Sequence, residues 1–377
     1  MIYFDNAATG GRKPDTVLTA VHSAVKVCAN PGRSGHKLAL SCAMQVENCR
    51  ATLNSFFNGY GFDRVIFTKN CTEALNIALF GVLEKGDHVI VSCMEHNSVL
   101  RPLEYLRQQG DITYDICPLV GEGAQAKLRA EDILPLLKPN TRLVAITAAS
   151  NVTGYAPDLS AVRKILPNHI LLLCDAAQGA GHFPIKMKEA GIDLLTIAGH
   201  KGMLGIQGSG ALLFSNHAEP RPLLYGGTGS ISLSLDMPDF YPDALEAGTL
   251  SFPAILSLLE GARYLTIHQG EIAEKLLSLS TYFLQQLKKQ NTYIPYSLPN
   301  PCGIVSFRHP CLQSEFIAEE LSSRYDIAVR GGLHCAPLTH KALRTLDEGL
   351  VRVSFSHYNT KKEIDTLISA LSKIGIP

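Results

Sequence analysis

Charge is scarce in this chain, and neither sign is in excess. Charged residues make up 18% of its 377 residues, and Lys+Arg equals Asp+Glu at 34 each. An average soluble domain carries roughly 25%. No global basic field would draw the chain onto nucleic acid or an anionic membrane surface. No apolar run approaches the roughly 18 residues of a membrane span. The opening residues, MIYFDNAATGGRKP, lack a basic stretch followed by an apolar one, so no secretory signal is expected. Internal repeats, low-complexity tracts and long charge runs are missing as well. The ten cysteines (28, 42, 49, 71, 93, 117, 174, 302, 311 and 335) include no CxxC pair. That removes the main support for a zinc ribbon or a thioredoxin-like site, and no metal centre is expected. They are also too dilute for a small disulfide-stapled fold. The expectation is a reduced, cytoplasmic protein whose thiols mostly fill its core.

What the chain does have is 46% hydrophobic residues, enough for a large core and too many for disorder. Its length suggests two domains. Strand-like apolar runs occur at Val65–Thr68, His88–Ser92, Leu143–Thr147, Ile170–Cys174, Leu194–Ala198 and Ala211–Phe214. Helical spacing lies between several of them, as at Thr72–Leu83 and Ser98–Gln108. This alternation predicts an α/β fold with a mostly parallel sheet covered on both faces. Beyond about residue 250 the pattern changes. Two long helices (Ile255–His268 and Ile272–Lys288) precede a loop at Asn291–Cys302. A strand at Gly303–Arg308, a helix at Glu315–Arg324, strands at Ile327–Arg330 and Gly349–Phe355, and a helix at Lys361–Lys373 follow. The division is therefore a large domain over 15–250 and a smaller α+β domain over 251–377, with 1–14 packing near the active site.

In open α/β sheets, ligands sit at the carboxyl ends of strands. Five segments place polar groups there. Asp175 ends an apolar strand, with Gln178 just beyond. Lys201 follows another strand in Gly199-His-Lys201. Asn70 can cap a helix that begins Cys71-Thr72-Glu73, whose free amides would make an anion site. His96 follows the strand ending near Ser92, and Asn151 follows the strand ending at Thr147. Each has an ordinary alternative: a turn-capping Asp, a surface Lys, a plain helix start, a hydrogen-bonded structural His. The combination is what carries information. Anion-binding amides, an imidazole, an amide, a carboxylate and an amine along one sheet edge are the set that pyridoxal phosphate requires. The glycines of Gly226-Gly-Thr-Gly-Ser230 are not a dinucleotide fingerprint, since GxGxxG and its strand–helix context are missing. They read as an active-site loop near a dimer interface.

The chain resembles the class V aminotransferase-like family of fold-type I pyridoxal phosphate enzymes, within it the cysteine desulfurase and selenocysteine lyase branch. The likeness runs from Tyr3-Phe-Asp-Asn-Ala-Ala8 through Asn30-Pro-Gly-Arg-Ser-Gly-His36 to Tyr358-Asn-Thr360. Its strongest carriers are Asp175-Ala-Ala-Gln178, Gly199-His-Lys201, Glu246-Ala-Gly-Thr249 and Gly332-Leu-His-Cys-Ala336. The resemblance implies a large, mostly parallel seven-stranded sheet sandwiched by helices. It makes Lys201 the Schiff-base lysine and Asp175 the partner of the pyridinium nitrogen, with Gln178 on the ring hydroxyl. His96 stacks on the ring and shuttles protons. Cys71, Thr72 and His200 hold the phosphate. Thr249 reaches the phosphate of a neighbouring subunit, which implies a homodimer. Asn151 belongs to both the cofactor and the substrate site. Arg352 binds the substrate carboxylate, a role its bidentate fork suits, and Ala8 lies beside the substrate.

Cys335 is the nucleophile position, in a Gly-rich segment with Arg330 and His334 adjacent; nearby cations favour a thiolate. Two positions depart from the family. Ala198 stands where relatives often carry a Ser or Thr that contacts the phosphate. Leu333 stands where better-known desulfurases have a second His, which bears on specificity and on the sulfur acceptor. The implied reaction converts L-cysteine to L-alanine and leaves a persulfide on Cys335 for a sulfur-acceptor protein. Alternatives on the same scaffold are a selenocysteine lyase and an aminotransferase or other C–S lyase. An inactive scaffold partner is the non-enzymatic alternative, against which Lys201, Asp175, His96, Arg352 and Cys335 together argue.

Overall fold

The computed structural model describes residues 1–27, 29–31 and 34–374. Cys28, together with Gly32 and Arg33 of the motif at 30–36, therefore lies outside the described residues. The elements in chain order begin with β1 (Ile2–Tyr3), α1 (Asp15–Val25) and α2 (Lys37–Phe56). Next come β2 (Val65–Thr68), α3 (Cys71–Val82), β3 (His88–Ser92), α4 (Asn97–Gln108) and β4 (Thr113–Cys117). β5 (Thr141–Thr147), α5 (Leu159–Ile165), β6 (Leu171–Asp175), α6 (Met187–Ala190), β7 (Leu194–Ala198) and β8 (Gly210–Phe214) complete the first half. The second half holds α7 (Phe252–Lys289), β9 (Ile294–Pro295), β10 (Ile304–Arg308) and α8 (Ser314–Tyr325). β11 (Ile327–Ala328), α9 (Pro337–Leu343), β12 (Val351–Ser354) and α10 (Lys361–Leu371) end it.

The large sheet has seven strands in the order β2-β8-β7-β6-β5-β3-β4. Only β8 runs against the rest, pairing antiparallel with both β2 and β7. Its strands are nearly continuous apolar runs because both faces are covered. The period-two alternation divides them between two cores. Val65, Ile90, Val144, Leu172, Leu195 and Leu213 face the core built with α2 and α7. Ile66, Val89, Leu143, Leu171, Leu194 and Leu212 face the core built with α3 and α4. The expected α/β sandwich is the observed one.

Four features differ from the sequence reading. β4 was not anticipated: it lies at the sheet edge, and its Thr-Tyr-Asp-Ile-Cys run is half exposed. The two long helices predicted after residue 250 are one helix of 38 residues. Gly270 does not break it, because a Cβ there would meet open space and Leu265, Ile272 and Leu276 continue the buried stripe across it. The strand expected at Ile327–Arg330 covers only Ile327–Ala328 and pairs with β1, parallel. The N-terminus is thereby joined to the last third of the chain, and Arg330 forms a separate bridge to Arg352. A second sheet, β12-β10-β9, is antiparallel, and its β9 falls inside the segment read as a loop. No helix among the described residues is long and apolar enough to cross a membrane.

Candidate active site

β2, β3, β5, β6 and β7 all run in one direction, so their carboxyl ends share one edge. The residues beyond those ends line a single cavity enclosing ≈ 530 Å³ of non-atom space. Lys201, Asp175, Gln178, His96, Cys71, Thr72, Asn151 and His200 all line it. Cys335, Arg352, Thr249 and Ala8 do not.

Asp175, the last residue of β6, is buried. Its Oδ1 accepts from the Ala177 amide at 2.9 Å and faces Cys71 Sγ at 3.4 Å. Its Oδ2 has no hydrogen bond among the described residues and is left for a cation or an N–H. Gln178 donates from Nε2 to the Ala7 carbonyl at 2.9 Å, while its buried Oε1 has no partner. The Lys201 side chain makes no hydrogen bond or ion pair among the described residues. Burial lowers its pKa; Asp175 opposes this, while Arg352 and Arg330 add to it. Gly199 precedes it because a Cβ there would collide with Ser209.

The start of α3 is capped by Asn70, whose side chain accepts from the Glu73 amide at 2.9 Å. The Cys71 and Thr72 amides have no partner among the described residues and point out of the helix start. Sequence reasoning missed Ser98, which joins the next layer. Its hydroxyl lies 2.8 Å from Thr72 Oγ1 and 2.9 Å from His96 Nδ1. His96 caps α4 by accepting from the Ser98 amide at 3.0 Å, so its ring proton resides on Nε2. Burial pushes its pKa down to about 4, with Asp175 opposing. The imidazole is therefore neutral at ordinary pH. His200 bonds Thr9 Oγ1 at 3.0 Å, and burial also lowers its pKa to about 4, helped by Lys201 and Lys13. Thr9 is a second residue the sequence did not single out, although it directly follows the Asp-Asn-Ala-Ala motif.

Arg352 is fully buried on β12. Its Nη1 donates to the Asn151 carbonyl at 3.0 Å and its Nη2 to Asp5 Oδ1 at 2.9 Å, leaving Nε unpaired. Burial lowers its pKa while Asp5 opposes. Cys335 is exposed, with Arg330 Nη2 3.9 Å from its sulfur. Thr249 is also exposed, with Asn30 Nδ2 at 3.5 Å from its hydroxyl. Glu246 of the same motif is bound elsewhere, to Arg50 at 2.8 and 2.6 Å and to the Phe67 amide.

The open groups describe their ligand. Two unpaired amides with His200 suit a phosphate, and the free carboxylate oxygen of Asp175 suits a protonated ring nitrogen. The unpaired Gln178 Oε1 suits a ring hydroxyl, His96 a ring face, and the amine of Lys201 a carbonyl carbon. Pyridoxal 5'-phosphate presents all five features, so the residues present fit it. No group of three or more His, Cys, Asp or Glu among the described residues is placed to hold a metal ion.

Known proteins give the same direction. The model of the aminotransferase class-V family matches residues 2–367. A probable cysteine desulfurase of Pyrococcus abyssi is 31% identical over 99% of this chain and 94% of that protein. One of Methanothermobacter thermautotrophicus is also 31% identical, with the same coverage. Among solved structures, the apo cysteine desulfurase of Thermococcus onnurineus superposes with a TM-score of 0.88 at 28% identity, covering 99% of this chain and 94% of that one. The Escherichia coli cysteine desulfurase CsdA gives 0.86 at 28% identity, covering 98% and 94%.

Proposed function

The chain belongs to the class-V aminotransferase family, and from that premise we propose that it is a pyridoxal 5'-phosphate-dependent cysteine desulfurase using the residues gathered at this sheet edge. The observation that carries the reading is the convergence of five strand ends on one cavity containing a half-buried, unpaired amine, a half-open carboxylate and unpaired helix amides. Bound there, the cofactor supplies an electron sink for the charge that develops when an amino acid loses its α-proton.

The chain's own residues do the rest. Lys201 Nζ would hold the cofactor and is placed to take the α-proton of the substrate; its lowered pKa suits a base. Asp175 Oδ2 keeps the ring nitrogen protonated. The Cys71 and Thr72 amides, with His200, anchor the phosphate. Neutral His96 covers the ring and offers Nε2–H. Arg352, whose Nε is unpaired, would bind the substrate carboxylate. Cys335 Sγ attacks the substrate sulfur as the Cβ–S bond breaks. The sum is L-cysteine plus Cys335–SH giving L-alanine plus Cys335–S–SH, which balances without an external oxidant or reductant.

We further read the protein as a cytoplasmic homodimer. Nine free cysteines among the described residues support a reducing compartment. Thr249, away from its own cavity, and the fully exposed Leu233 and Leu235 support a second copy packed nearby.

The test is alanine formed from L-cysteine by the purified, cofactor-loaded protein with a thiol reductant present. Alanine and sulfide in equal amounts are expected. Cofactor binding without alanine would overturn the reading.

A further inference from the structure

Cys71 stands at the first turn of α3, where its backbone amide faces the cavity, but its side chain points elsewhere. The alternation of β6 and β7 explains where. Leu171, Leu173 and then Asp175 face the α3 side of the sheet, as do Leu194, Thr196 and Ala198. Asp175 and Thr196 are paired neighbours across β6 and β7. The thiol packs against this pair, 3.4 Å from Asp175 Oδ1 and 3.4 Å from Thr196 Oγ1. All three side chains are buried. A thiol has one proton and a carboxylate only accepts. The arrangement that satisfies every group has the Thr196 hydroxyl donating to sulfur and the thiol donating to Asp175. Burial, and Asp175 next, push the Cys71 pKa well up, which keeps the proton on sulfur.

We propose that Cys71 is a positioning residue for the cofactor's ring nitrogen: with the Ala177 amide, its S–H saturates Asp175 Oδ1, leaving Oδ2 as the one oxygen open to the ring. The thiol thus acts on the ring end of the cofactor while its backbone amide serves the phosphate end. A donor on Oδ1 withdraws electron density from the carboxylate and weakens its pull on the ring proton. Its removal makes Asp175 more basic, and the less shielded carboxylate would favour the protonated form of the lysine-bound chromophore.

The inference rests on the cofactor reading above, and the experiment separates the two. The visible absorbance of the pyridoxal 5'-phosphate-loaded protein is titrated against pH for wild type, Cys71→Ala, Cys71→Ser and Thr196→Val. Cys71→Ala should move the midpoint upward by about half to one pH unit, the size of one ordinary hydrogen bond lost, since a thiol is a weak donor. Cys71→Ser keeps a donor and should stay near wild type. Thr196→Val weakens the relay by one bond and should shift upward by less. Midpoints identical in all four proteins overturn the inference and leave the cofactor reading intact. Weakened cofactor retention in Cys71→Ala with an unmoved midpoint also overturns it, by placing the thiol's role at the phosphate. A wild-type protein that acquires no visible absorbance overturns the cofactor reading itself.

Discussion

The side-chain amide of Asn151 donates to the backbone oxygen of His334 at 2.7 Å, one residue before the proposed nucleophile. His334 and Cys335 are consecutive non-glycine residues at φ 51° and 57°. Each such residue costs about 1–2 kcal/mol, so the turn needs outside support. A second support is the Asn97 amide, which donates to the Cys335 carbonyl at 2.8 Å. Asn151 also accepts from Arg352 through its own carbonyl. One residue therefore links the turn carrying the thiol to the guanidinium proposed to hold the substrate.

Asn151→Ala removes one support and leaves a buried carbonyl unpaired, worth about 1–3 kcal/mol. We expect kcat for alanine formation to fall roughly tenfold. In the cofactor-free protein, Cys335 should be alkylated faster by iodoacetamide, because the turn opens without the bond. Unchanged alkylation and unchanged kcat would show that the turn holds itself.

Cys335→Ala separates sulfur transfer from cofactor binding. The side chain is exposed, its one hydrogen-bonding neighbour among the described residues is Arg330 at 3.9 Å, and it does not line the cavity. Stability should stay within about 0.5 kcal/mol of wild type, with the visible absorbance retained. Alanine formation from L-cysteine should fall by roughly a hundredfold or more. Selenocysteine turnover should fall less, since selenium leaves more readily. Persulfide still found on the variant after reaction with L-cysteine would remove Cys335 from the mechanism.

The polar edge of the sheet was legible in the sequence because each apolar strand ends abruptly in a polar group, and parallel strands bring their ends together. Strand order was not needed to place Asp175 and Lys201 at one edge. Side-chain direction was another matter. The capping register of Asn70 and Glu73 locates the start of α3, but only the packing of that helix over β6 and β7 turns the Cys71 thiol toward Asp175. Ser98 and Thr9 escaped notice for a similar reason: each meets a histidine through a side-chain contact that only the packing reveals. The sequence pattern reads as two helices, one on either side of Gly270. The stripe Leu265, Ile272 and Leu276, buried on both sides of it, outweighs a cost of about 1 kcal/mol.

Glu246 is part of a motif that marks the family, yet its contacts are structural. It binds Arg50 through both oxygens, at 2.8 and 2.6 Å, and takes the Phe67 amide at 2.6 Å. The two side chains are only 3% and 6% exposed, so neither charge has water to fall back on. Glu246→Gln should cost about 3 kcal/mol by leaving the guanidinium only the half-exposed Glu47, at 3.0 Å, as counter-charge, read as a lower urea midpoint. Arg50→Met combined with Glu246→Met should recover much of that loss. A double variant as unstable as the single one would show that the pair contributes more than mutual neutralisation.

Glu95 gives the pH dependence its sign. It is fully buried beside His96, with Oε1 accepting from Ser92 at 2.5 Å and from the Thr147 amide at 2.9 Å, and with Oε2 unpaired. Burial pushes its pKa up to about 8 from an ordinary 4.5, with Asp175 adding and the Ser92 and Thr147 bonds opposing. Between those two values the folded protein holds a proton that the unfolded chain has released. This contribution is complete below pH 4.5 and is lost as pH rises through 8. His96 and His200 work the other way: their folded pKa values of about 4 lie below the ordinary 6.5, so stability is lost as pH falls across that interval. Glu95→Gln cannot ionise and leaves both histidines in place, so their effect cancels when variant and wild type are compared. The Tm of Glu95→Gln minus that of wild type should therefore grow steadily from pH 5 to pH 8. A difference that stays flat over that range would mean that Glu95 is already ionised in the folded protein at pH 5.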